Sequence, residues 1–162
     1  MRVRIVIVFC FLAMVDDAGA QARKLGLWET TTSMTWQQSP LPAGTAAPNG
    51  STTLICLTQA AIDRYGGILP QVTNGCQLAN LSTKADTTTA DMVCSGAVNG
   101  KGSVVSTWTD AEHAKNSVHF TGTIKMGADI KPIEWTSTST SAFKRVECGL
   151  IIPPRIPLAT DK

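Results

Sequence analysis

The residues with the most definite chemistry in this chain are four cysteines, Cys56, Cys76, Cys94 and Cys148, which follow an export signal. An even cysteine count in an exported domain reads as a disulfide framework; in a reducing compartment the same residues would suggest metal binding or catalysis. Four cysteines allow three connectivities. One hairpin helps to choose among them. With its turn centred on Ala85, Cys76 faces Cys94, Leu78 faces Met92 and Asn80 faces Ala90. Facing residues on antiparallel strands bring their Cβ atoms within bridging range. Cys56 is then left for Cys148, tying an early strand to the end of the last one.

Other reactive side chains are sparse. His113 closes the segment Asp110-Ala111-Glu112-His113, where a solvated turn accounts for all three polar residues. His119 falls on the polar side of its run. Two separated histidines and no unpaired mature thiol make a poor zinc set, so no metal and no cofactor are implied. Gly-x-Ser-x-Gly, His-Glu-x-x-His and phosphate-loop patterns are all absent from the sequence. Gly100-Lys101-Gly102-Ser103 lacks the rest of a dinucleotide fingerprint and is expected to form a hairpin turn between two strands. The expectation is a protein that is not an enzyme.

The tryptophans leave two readings. Trp28, Trp36, Trp108 and Trp135 can line a pocket for an apolar or aromatic ligand inside a curled sheet. They can equally fill the core, each indole N–H finding a partner, and this second reading is favoured for at least two of them.

The elements that would hold these residues begin with the leader. Arg2 and Arg4 precede the apolar run Ile5–Val15, and Ala18-Gly19-Ala20 supplies a small-x-small cleavage site. Ala20-Gln21-Ala22 offers a second cut. The run is too short to cross a bilayer core of about 30 Å. Cys10 lies within it and leaves with the signal, so residues 1–20 are expected to be removed. What remains has no span of membrane length. Its net charge of +2 carries no basic stripe, which excludes nucleic acid as a natural partner.

The mature chain is rich in Thr, Ser and Val and breaks into short alternating runs, which favours strands. The first is Leu25–Trp36, with Trp28, Thr30, Thr32, Met34 and Trp36 on one face. Residues 37–52, with three prolines, are expected as a long exposed loop. Thr53–Leu57 follows. Thr58 can cap a two-turn helix at Gln59–Tyr65, which Gly66-Gly67 would stop. Gly75–Ser82 and Thr88–Ser95 read as a hairpin, and Gly102–Thr109, Ser117–Met126 and Ile133–Glu147 as further strands. The fold class expected is mainly β: an antiparallel meander curling into a half-open or closed barrel-like sheet, with one short helix and two disulfides. Residues 21–152 would be a single domain and 153–162 a Pro-rich tail.

Several of these landmarks also occur together elsewhere. Gly26-Leu27-Trp28-Glu29 opens the first strand, Cys56-Leu57-Thr58 leads into the helix, Gly75-Cys76 and Cys94 flank a hairpin, Phe120-Thr121-Gly122-Thr123 sits in a late strand, and Arg145 stands before Cys148-Gly149. In order and spacing they resemble the exported bacterial proteins grouped as "domain of unknown function 3617", over about residues 24–149. The resemblance implies a periplasmic domain with paired cysteines and no assigned activity, so no catalytic residue is carried over. Members of that group often have a Met- and Pro-rich segment before the first cysteine. Here Ser39-Pro40-Leu41-Pro42-Ala43-Gly44 keeps the prolines without methionine, which weakens a soft-metal reading.

The functional expectation is a periplasmic or secreted binding domain whose partner is an envelope protein or a small apolar ligand. A structural or stress-related protein without a pocket is the first alternative. A secreted inhibitor acting through loop 37–52 is the second. Asn49-Gly50-Ser51 and Asn80-Leu81-Ser82 satisfy the glycosylation pattern and matter only in a host that glycosylates.

Overall fold

The structure is a computed structural model that describes residues 23–42, 45, 50–67, 75–153 and 155. The leader with its cut sites, most of the loop 43–49 including Asn49, and most of the tail 153–162 lie outside the described residues.

Among the described residues seven strands form a single antiparallel sheet: β1 (Gly26–Gln38), β2 (Gly50–Leu57), β3 (Cys76–Lys84), β4 (Thr87–Cys94), β5 (Val98–Trp108), β6 (His113–Met126) and β7 (Asp129–Arg145). The order across the sheet is β2-β1-β7-β6-β5-β4-β3. From β3 to β7 the chain is a meander, as short turns require. β7 then returns against β1, so the last strand sits in the middle of the sheet. β2 and β3, consecutive in sequence, lie on opposite edges, and the sheet does not close. It does curl. Trp28 on β1 and Trp108 on β5 are three strand spacings apart, roughly 14 Å in a flat sheet, yet their rings meet at 5.1 Å.

The helix forms as its caps dictate. α1 (Gln59–Tyr65) starts at Thr58, whose Oγ1 accepts from the Ala61 N–H at 3.2 Å, and ends at Gly66 in the left-handed conformation, φ 59°. A helix of seven residues is too short to persist alone, and Ala61 and Tyr65 bury it against the sheet.

Three expectations are corrected. Residues 37–52 are not one loop: β1 continues to Gln38 because β7 pairs with it that far, and β2 begins at Gly50 opposite Ser33. Asn80 does not face Ala90. Cys76↔Cys94 and Leu78↔Met92 hold, but Asn80 and Leu81 then oppose the single Ala90, and beyond this bulge Thr83 faces Thr88. Asn80 takes φ 52°, a conformation asparagine tolerates better than most residues. Finally, Gly100–Ser103 is not a turn but the middle of β5. Its glycines are there because β6 and the Phe120 ring come close. A Cβ on Gly102 would stand 3.2 Å from Phe120 Cδ2, and one on Gly122 would stand 3.0 Å from Cε1. The signal for a turn and the signal for close approach are the same residue.

Pro132 lies within β7, yet this part of the strand pairs only with β6, since the β1 partnership ends at Glu134. A residue without an N–H fits on that locally free side.

Both disulfides are present, Cys76–Cys94 inside the hairpin and Cys56–Cys148 across a separation of 92 residues. No described helix is long and apolar enough to cross a membrane.

Candidate functional site

Strand alternation gives the sheet two sides. The core-facing side carries two aromatic clusters with a polar belt between them. At one end Trp28 packs edge-on against Trp108 and against Phe143, at 5.1 and 5.9 Å. This end is covered. The N-terminal arm crosses it: Arg23 lies 4.7 Å over the Trp108 ring and donates to the Gly66 carbonyl at 2.7 Å, while the Trp28 Nε1–H donates to the Lys24 carbonyl at 3.0 Å. Burial lowers the Arg23 pKa, and Asp86 acts in the opposite direction. Trp28 is fully buried and Trp108 nearly so; these two are core.

The far end differs. Trp36 and Trp135 face each other across β1 and β7, and Phe120 follows on β6, stacked on Trp135 at 5.5 Å. Both tryptophans are only partly buried, as are Thr32, Met34, Val118 and Ser139 beside them. The buried Trp36 Nε1 has no hydrogen-bond partner. Of the four tryptophans singled out by type, the structure therefore brings Trp28 with Trp108, and Trp36 with Trp135, at opposite ends of one surface.

Between the clusters runs a row that composition alone did not reveal. Successive register partners are Thr83, Thr88, Ser106, Asn116, Ser139, Thr32 and Ser51, one from each strand. Every member is a hydroxyl or an amide. In the adjoining row, buried Thr30 and Ser141 bond to each other at 2.8 Å. Within the belt, Thr88 donates to the Gly66 carbonyl at 2.7 Å and Asn116 Nδ2 donates to Ser139 Oγ at 3.3 Å. Ser106 Oγ and Asn116 Oδ1 remain buried without a partner. Exposure falls along the belt, from exposed Ser51 through half-buried Thr32 and Ser139 to Asn116 at 6 % and Ser106 at 0 %. The signal in the sequence was present as alternating Ser and Thr, but only the register shows that these point inward.

The outer side is paved with threonine and serine and holds a groove of about 500 Å³. Small Ala142 sits between Glu29 and His113 in one row, which leaves the floor low, and Thr31, Thr140 and Lys115 form the next row. Its charged groups are mostly engaged in exposed pairs: Glu29 with Lys144 at 2.7 Å, and His113 Nδ1 with both Asp110 oxygens at 2.9 Å. Hydrogen bonds from the Glu112 backbone and from His113 hold the Asp110 pKa below the usual carboxylate range. His113 is thus the first residue of β6 and still bonded to the turn. His119 stands on the same outer side, beside Glu134 at 3.1 Å. No group of three or more His, Cys, Asp or Glu side chains able to hold a metal ion occurs among the described residues.

Fold and site together define a class: an open antiparallel sheet braced by two disulfides, with an aromatic and hydroxyl-lined core-facing side. Within that class the chain belongs to the family described as protein of unknown function (DUF3617), whose model matches residues 23–148. No curated protein and no solved structure matches the chain.

Proposed function

We propose that this is an exported, non-enzymatic binding domain of the cell envelope, working in the periplasm or outside the cell, and that it takes up a small, largely apolar ligand on the core-facing side of its sheet. The observation that carries this reading is the partly exposed pair Trp36 and Trp135, backed by buried Phe120, next to buried polar atoms without partners. A core that only had to be stable would gain from closing such a surface, because each buried unpaired polar atom costs about 1–3 kcal/mol. The two disulfides support an oxidising compartment. The pairing of the groove's charged side chains on exposed surface supports a role in binding over one in catalysis.

Native mass spectrometry of the protein purified from its own host is the test. The expected result is a non-covalent adduct that is lost on Trp36→Ala. A bare protein mass, together with tryptophan fluorescence that does not respond to any amphiphile, would remove the reading.

A further inference from the structure

We infer that the ligand of the core-facing side is a neutral amphiphile: an apolar chain or ring bearing a hydroxyl or amide, and not a carboxylate, phosphate or ammonium. This rests on the proposed binding role and adds its chemical class.

Charge decides the class. The core-facing residues in register from the Trp108 row to the Phe120 row are Trp, Phe, Met, Leu, Val, Ala, Gly, Ser, Thr and Asn, without an ionisable side chain among them. An ion placed there would lose its hydration, and the Arg23 guanidinium at the Trp108 end is already committed to that ring and to the Gly66 carbonyl, so such burial is costly. A hydroxyl or amide meets the opposite situation. Asn116 Oδ1 needs a donor, and Ser106 Oγ, its register partner, can donate or accept. A neutral polar group within reach of both would satisfy them.

The belt also gives the route. A polar group passing from Ser51 over Thr32 and Ser139 keeps hydroxyl contacts all the way to Asn116, while an apolar tail can lie over the partly exposed Met34, Trp36 and Trp135. Entry from the far end is blocked by the Arg23 arm over Trp108 and by α1.

The experiment compares 1-decanol with decanoate, equal in chain length, each below its aggregation concentration, on the full mature protein. Binding is read from tryptophan fluorescence and from the backbone amide shifts of Ser106 and Asn116. Decanol should bind at least about tenfold more tightly than decanoate, reflecting the cost of burying the carboxylate. Ser106→Ala should weaken decanol by about two- to tenfold, the worth of one neutral hydrogen bond. The same substitution should leave the unliganded protein as stable as before, since that hydroxyl has no partner to lose, so a failure to fold does not obscure the result. Decanoate binding as well as decanol would overturn the neutral class and leave the surface as a binding site. Decanol binding unchanged by Ser106→Ala would overturn the belt's role. If neither probe binds, ordered water satisfies the belt and the inference falls, while the adduct experiment still judges the binding role separately.

Discussion

The two disulfides give opposite rankings under two physical accounts, which makes their removal informative. Replacing Cys56 and Cys148 by alanine opens a closure of 92 residues, and replacing Cys76 and Cys94 opens one of 18. Loop entropy assigns about 4–5 kcal/mol to the long bridge and about 3 kcal/mol to the short one. Packing points the other way: Cys76 and Cys94 are 4 % and 3 % exposed, whereas of the long bridge only Cys56, at 4 %, is fully buried and Cys148 is half-exposed. Alanine is the right replacement because it adds no hydroxyl to the interior. Urea denaturation followed by fluorescence should show the Cys56/Cys148 variant losing more, by about 1–2 kcal/mol, roughly tenfold in the unfolding equilibrium. Its m-value should also rise, since the unfolded chain expands. If the Cys76/Cys94 variant is the less stable of the two, chain entropy is not what the bridges contribute here, and buried sulfur packing is.

Two further expectations follow from the register and the turn. Gly102→Ala puts a methyl 2.5 Å from the His119 carbonyl oxygen and 3.2 Å from Phe120 Cα and Cδ2, and should cost about 1–3 kcal/mol by overpacking; because the tightest contact is backbone, Phe120→Leu should relieve little of the loss in a denaturation cycle, and a strongly less-than-additive result would make the ring the obstacle instead. Asp110, with its folded-state pKa lowered by the Glu112 N–H and by His113, contributes fully above the ordinary carboxylate pKa of about 3.9 and loses that contribution as pH falls through its own lower value. Carbon-detected titration should place Asp110 below the other carboxylates and move it up in His113→Ala; a midpoint at or above the ordinary value would contradict the assigned cause.

What the sequence made legible was local. The helix at Gln59–Tyr65 needed only a threonine before it and two glycines after it. The Cys76–Cys94 pairing needed one hairpin, and held because the turn falls at Ala85-Asp86 instead of on Ala85 alone and the extra residue at the Asn80 bulge offsets that shift. What stayed hidden was long-range. Gly102 reads as a turn residue until Phe120, eighteen positions on, is laid across it. Trp36 and Trp135 are 99 positions apart and become neighbours only because β7 pairs with β1. The belt was the hardest of all, since a serine in an alternating strand looks the same whether it faces water or the interior, and every register shift would move it to the other side.

Placing β7 between β1 and β6 has a consequence for how the molecule is made. A chain made from its amino end can zip the β3–β6 meander early, but β1 and β6 each wait with a bare rim for the same late segment, Asp129–Arg145. Until that stretch is in place, two sticky borders are on offer to any passing polypeptide. Biogenesis is therefore all-or-nothing at the carboxyl end: a ribosome stall or a proteolytic nick ahead of position 129 would leave two half-sheets with nothing to join them.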